Sequence, residues 1–261
     1  HVGEWMPITI LKNKKGTFEE NIKDDTEGWW NCIEVADVNK DGFPDLIMGN
    51  EGLNSFYRAS TDQPIVMLAK DFDNDKKMDA VMGHYLQNKL VPVHPRENLN
   101  LQINSFRKKF ITFKDYSLAR FDDLFSEEEK EGSIKKQAKM LQTSIAINDR
   151  KGDFAIKLLP WQAQQSPVFS IITDDFNRDG KIDILLSGRF YPNEAHQGRQ
   201  DASRGVLLAG NDKGDFSAID FEKSGLNFQG DTRKSLYFKS SGTLLTFCNS
   251  GKAEGYRLKG N

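Results

Sequence analysis

Three short stretches of the chain place oxygen-bearing side chains at alternate positions: "DVNKDGFPD" at 37–45, "DFDNDKKMD" at 71–79 and "DFNRDGKID" at 175–183. In a loop whose side chains alternate, the groups at positions 1, 3 and 5 converge on one point. A backbone carbonyl at position 7 and a carboxylate at position 9 then close the shell. Carboxylates held within a few ångströms of one another repel unless a cation neutralises them. Calcium, which takes about six to eight oxygens at roughly 2.3–2.6 Å, suits a flexible loop of this kind better than magnesium. The expected ligands are Asp37, Asn39, Asp41, the carbonyl of Phe43 and Asp45 in the first loop. In the second they are Asp71, Asp73, Asp75, the carbonyl of Lys77 and Asp79, and in the third Asp175, Asn177, Asp179, the carbonyl of Lys181 and Asp183. The expectation is two to three calcium ions, because Gly42 and Gly180 stand at the sharply bent position 6 where the second loop has Lys76.

The elements that hold these loops are strands. An EF-hand opens in the same way but needs a glutamate at position 12 and a helix on either side. Position 12 is Met48, Met82 and Leu186. Short apolar runs lead in ("NCIEVA", "PIVMLA", "PVFSIIT") and out ("DLIMGN", "DAVMGHY", "DILLSGRFY"), so each loop is expected to close a β-hairpin. "KNKKGTF" at 12, "NDRKGDF" at 148 and "NDKGDF" at 211 read as turns of further hairpins. Strand, Asp loop, strand, connection, strand, turn, strand is the pattern of a propeller blade. Its best copy has strands near 168–173, 182–188, 205–209 and 216–221. The first two Asp loops lie too close for four strands between them, so that blade is expected to be abbreviated. Between the second and third loops, "ENLNLQINSFRKKFITF" puts Leu99, Ile103, Phe106, Phe110 and Phe113 at helical spacing, and "SEEE" at 126 reads as a capping box. A helical insertion over about 97–132 follows.

"VGEW" at 2–5 resembles the "MGNE", "MGHY" and "SGRF" that follow the loops, so the chain is expected to begin just past a further loop, within a blade and inside a longer precursor. "YFKSSGTLLTFCN" keeps the blade pattern with Tyr237, Lys239, Ser241 and Leu245 in place of ligands, and is expected to bind no metal. The N-terminal strands would then complete this last blade, or further blades lie elsewhere.

The loops resemble the FG-GAP/VCBS repeats of integrin α-chain propellers and large bacterial surface proteins. "VGEWMPITILKN", "WWNCIEVADVNKDGFPDLIMGNEGLNS", "FRKKFITFKDY" and "SPVFSIITDDFNRDGKIDILLSGRFY" are similar to the C-terminal part of long bacterial VCBS-repeat proteins of the kind that carry an ASPIC/UnbV domain upstream. The resemblance implies an all-β fold, a complete or partial β-propeller of about four to five blades over residues 1–261, calcium in the hairpin loops, and an extracytoplasmic location. It implies no reaction.

At 261 residues, 38% hydrophobic, with 18 Phe and 4 Trp, the chain can bury a sizeable core. Lys and Arg number 36 against 38 Asp and Glu, which leaves no global field to attract nucleic acid. No apolar run approaches the roughly 20 residues of a membrane-crossing helix. Cys32 and Cys248 permit one disulfide without requiring it. Trp5, Trp29, Trp30 and Trp161 read as fillers between sheets, His84, His94 and His196 as structural or solvent-facing, and Arg107, Lys108 and Lys109 as the wetted face of a helix. No nucleophile elbow, phosphate loop or zinc helix is present in the sequence. The expected function is therefore a calcium-binding, non-enzymatic module that binds a protein or glycan partner. The alternative is a glycan-processing lyase or hydrolase with its site in a central channel, for which "HPREN" and "HQGRQD" supply the candidate residues.

Overall fold

The computed structural model describes residues 1–211 and 213–257. It is predominantly antiparallel β-structure in several small sheets, none of which closes on itself among the described residues. The chain divides into two compact units. One comprises His1–Lys23, Trp29–Phe56 and the chain from Leu141 onward; the other comprises Asp24–Gly28 and Tyr57–Met140.

In the first unit one sheet has the strand order Phe154–Leu158, Ser144–Asn148, Asp45–Gly49, Cys32–Ala36. A second runs Ser170–Asp174, Asp183–Ser187, Val206–Gly210, Phe216–Ile219 in chain order, within about two residues of the sequence expectation. A third holds Thr232–Phe238, Thr243–Cys248 and Glu254–Arg257. The apolar faces of the first two sheets meet through Ile47, Ile145, Val168, Ile171, Ile184 and Leu208. Leu185 points the other way, into a cluster with Leu226, Phe228 and Leu244. The Asp183–Ser187 strand is thus buried on both faces, which is why it reads as an unbroken apolar run.

The first sheet is not abbreviated. Its third and fourth strands, Ser144–Asn148 and Phe154–Leu158, follow in the chain the second unit, which is inserted between its second and third strands. The N-terminal strands Thr9–Lys14 and Thr17–Ile22 pair with each other and do not join the Thr232–Arg257 sheet. Cys32 and Cys248 are both free.

The second unit packs helices on one sheet, ordered Ile134–Ala138, Ile65–Lys70, Asp79–Leu86, Lys89–Pro92. Helices Arg96–Gln102, Phe106–Lys109, Phe113–Leu118 and Glu127–Lys130 fall in the expected helical span, and Ser126 and Glu129 form the expected capping box. Leu99, Ile103, Phe106 and Phe110 are buried with Leu68 and Val81, but Phe113 is 67% exposed. The helical period does not run through it, because the helix stops at Lys109 and restarts at the Thr112 cap.

The glycine that follows each Asp loop packs against neighbouring structure. A Cβ on Gly49 would lie 2.5 Å from the Val168 carbonyl, on Gly83 2.5 Å from the Phe121 ring, and on Gly188 2.0 Å from the Pro167 carbonyl. Close approach, not turn geometry, requires glycine there.

Candidate cation-binding loops

Each Asp loop closes a hairpin between the expected strands: Cys32–Ala36 with Asp45–Gly49, Ile65–Lys70 with Asp79–Leu86, and Ser170–Asp174 with Asp183–Ser187. The three backbones share one conformation. Position 4 is left-handed in Lys40, Asn74 and Arg178 (φ 57, 61 and 62°), and so is position 6 in Gly42, Lys76 and Gly180 (φ 87, 72 and 83°). Lys76 accepts the strained region that glycine enters freely, so the second loop keeps the shape despite its substitution.

The same four hydrogen bonds recur. The position-1 carboxylate accepts the position-5 N–H on Oδ1, at 3.0 Å in all three loops. Its Oδ2 accepts the position-6 N–H at 2.8, 2.9 and 2.9 Å. Position 5 accepts the N–H of position 7 at 2.9, 2.8 and 2.9 Å. Position 9 accepts the N–H of position 2 at 3.1, 3.0 and 3.0 Å. Asp45, Asp79 and Asp183 are buried, and burial raises the pKa of all three. A bound cation would act in the opposite direction and hold them ionised.

The position-9 carboxylates also bind the neighbouring strand, which the sequence pattern did not reveal. Oδ1 of Asp45 accepts the N–H of Asn148 at 2.8 Å, and Oδ1 of Asp183 that of Gly210 at 3.1 Å, each at the end of the third strand of its sheet. Asp45 and Asp183 therefore stitch three strands together whether or not a cation is bound. In the second unit the helical segment meets the loop instead. Gln102 donates to the Ala80 carbonyl at 3.3 Å, and the N–H of Asn104 reaches Asp73 Oδ2 at 3.3 Å.

Position 5 behaves differently in the three loops. Asp41 Oδ2 accepts Arg150 Nε at 3.0 Å; burial works to raise its pKa, but the Arg150 guanidinium, the Phe43 N–H and the Asn39 amide together outweigh this and hold the carboxyl below the ordinary range. Asp75 is lowered by the backbone N–H and ammonium of Lys77, the ammonium at 3.2 Å. Lys77 stands in the pattern only for its carbonyl and Arg150 lies outside it, so only "NDRKGDF" as a neighbouring turn hinted at Arg150. Lys40 of the first loop donates to the Gly180 carbonyl of the third, which makes those two loops neighbours.

The donor chemistry fits a hard cation most directly in the second loop. Carboxylate oxygens of Asp71, Asp73 and Asp79 lie mutually within 4.8 Å, a convergence of three found at this loop among the described residues. Asp73 Oδ1 is buried with no hydrogen-bond partner, an arrangement that costs free energy unless a cation or water meets it. Position 3 is Asn39 and Asn177 in the other loops, where the amide oxygen accepts the N–H of Asp41 and Asp179 at 3.2 and 2.8 Å.

The histidines and tryptophans assemble no second centre of this kind. His84 packs edge-on against Tyr57 with ring centroids 6.2 Å apart, and His196 against Phe56 at 5.9 Å. Trp5 and Trp29 meet edge to face at 5.3 Å, whereas Trp161 is 67% exposed and fills no gap between sheets. Glu51, held against Gln200, is pushed up to about 7 by burial. Comparison with protein-family models, curated proteins and solved structures gives no match for this chain.

Proposed function

We propose that this protein is a calcium-stabilised, non-enzymatic module of β-propeller type, built to present its sheet and loop surfaces to a protein or glycan partner outside the cytoplasm. The observation that carries the reading is the recurrence of one loop conformation in three hairpins, with the same four hydrogen bonds and the same two left-handed residues. The second loop keeps this shape with Lys76 at φ 72° where the other two have Gly42 and Gly180, so the conformation is maintained where glycine is absent.

The ligands would be the side chains at positions 1, 3, 5 and 9 with the carbonyls of Phe43, Lys77 and Lys181. The cation supplies charge neutralisation and fixes each hairpin, and no chemical step follows from it. The proposal is tested by melting metal-stripped protein during a calcium titration, with magnesium as control and Asp41→Ala/Asp179→Ala as comparison. Dissociation constants of roughly 10⁻³ to 10⁻⁴ M, usual for extracellular modules, give about 1.4 to 2.7 kcal/mol per site at about 10 mM calcium. The expected result is a rise in Tm specific to calcium and smaller in the variant. An unchanged Tm at that concentration would remove calcium, and with it this function, from the account.

A further inference from the structure

The helical segment of the second unit carries a surface that the calcium loops do not explain. Four of its large apolar side chains stand out in solvent: Leu101 at 77%, Ile111 at 71%, Phe113 at 67% and Leu118 at 74% exposed. No other stretch of similar length gathers so many this far exposed among the described residues. Isolated exposed apolar residues are ordinary, but a gathering of them marks an interaction site.

Contacts tie three of the four to one short helix. Arg96, at its start, donates to the carbonyls of Phe110 and Ile111, each at 2.7 Å, and its guanidinium lies 5.1 Å over the Phe113 ring. Near its other end Arg107 donates to the Asn100 carbonyl at 3.3 Å, next to Leu101. Seven residues of helix span about 10 Å, and Leu118 lies five residues along the helix that opens at Phe113, about 7.5 Å further.

Charge follows the apolar exposure. Residues 96–120 contain six basic side chains and two acidic ones, Glu97 and Asp115. Glu97 is paired with Arg96 at 3.6 Å, and Asp115 is engaged by the Thr112 cap. The next eleven residues, 121–131, reverse the balance to six acidic and one basic, and their apolar side chains Phe121, Leu124 and Phe125 are buried. Apolar exposure and positive charge thus coincide and end together. The large groove of this unit runs past Val66, Leu90, Phe121 and Lys135 and includes none of the four exposed residues.

We propose that this segment docks the protein on an anionic phospholipid surface, with Leu101, Ile111, Phe113 and Leu118 entering the interface and Arg107, Lys108 and Lys114 meeting the headgroups. Exposed apolar side chains on a segment with a surplus of basic ones are what an anionic lipid interface receives.

The test is co-sedimentation of the full chain, in EDTA, with vesicles of phosphatidylglycerol and phosphatidylcholine in equal parts and with phosphatidylcholine alone, at low and high salt. Binding to the anionic vesicles that weakens with salt is expected. Leu101→Ser/Ile111→Ser/Phe113→Ser/Leu118→Ser should lower the partition coefficient at least tenfold. Arg107→Gln/Lys108→Gln/Lys114→Gln should lower it by about fivefold per residue at low salt and flatten the salt dependence. All seven residues are exposed, so both variants should melt with the parent protein. No binding to anionic vesicles at low salt would overturn the proposal, as would unchanged binding by the apolar variant. A concentration-dependent dimer abolished by that variant would instead assign the surface to a second copy of the chain. EDTA separates this outcome from that of the calcium proposal.

Discussion

Lys76 shows how a single residue reports on the loop around it. Its φ of 72° is a region where a Cβ crowds the following carbonyl, at a cost of about 1–2 kcal/mol for residues other than glycine. The loop holds it there through the N–H of Lys76 itself, which donates to Asp71 Oδ2 at 2.9 Å. Replacing Lys76 by glycine relieves the strain but also removes an ammonium from beside four aspartates, so the informative comparison is between two neutral variants. Lys76→Gly should be more stable than Lys76→Ala by about 1 kcal/mol, read from urea unfolding in EDTA. Equal stability would mean that the backbone at this position is not left-handed in solution.

At the scale of elements, the first sheet depends on a polar clasp where the chain returns from the second unit. Gln164, 5% exposed at the end of the Trp161–Gln164 turn, accepts the N–H of Thr143 at 2.8 Å. It also donates to the carbonyls of Thr143 and Leu159 at 2.8 and 3.1 Å, while Thr143 Oγ1 accepts the N–H of Asn50 at 3.1 Å. Gln164→Ala strands the Thr143 N–H and the Leu159 carbonyl, while the Thr143 carbonyl keeps the Leu159 N–H at 3.2 Å, and should cost about 2–4 kcal/mol, seen as a drop in the midpoint of chemical unfolding with Ser170–Ile219 left as an internal comparison by hydrogen exchange. A loss under about 0.5 kcal/mol would show that water replaces the amide. Nothing in "WQAQQ" signals this role, because its partners lie up to 21 residues away. What was legible was local: the three hairpins, the Ser126 cap and the Ser170–Ile219 meander each follow from neighbouring residues. What was not legible was pairing. Asn148 meets Asp45 across 103 residues, and an apolar run specifies a strand without naming the strand beside it. The site divides in the same way: the alternating carboxylates stand out in the sequence, while Arg150, Asn104 and Gln102 come to them through the fold.

At the scale of the whole chain, the second unit occupies what would otherwise be a hairpin connection. Asp45–Gly49 and Ser144–Asn148 are neighbouring antiparallel strands, with Met48 opposite Ser144. The departing and returning segments are bonded to each other, Gly52 N–H to the Leu141 carbonyl at 2.7 Å, and Leu53 N–H is held by the Gln164 carbonyl at 2.8 Å. These ties lie within the first unit and do not depend on the intervening residues. The second unit likewise buries a core of its own, from Leu68 and Val81 to Phe125. Insertions at such points are tolerated because loop closure costs little extra with length, and the reverse operation should be tolerated for the same reason. A variant in which a short Gly/Ser linker replaces residues 57–138 keeps Lys139 and Met140, whose N–H groups donate to the Glu27 carbonyl. It should fold as a β-protein, with a Tm within a few degrees of the first unit's transition in the full chain. On the calcium reading it should bind one ion fewer by titration calorimetry, since only the loops at 37–45 and 175–183 remain, and on the lipid reading it should no longer sediment with anionic vesicles. An aggregated or unfolded variant would show that the first sheet cannot form its long-range pairing without the unit inserted in its chain, and the two units would then have to be treated as one folding entity.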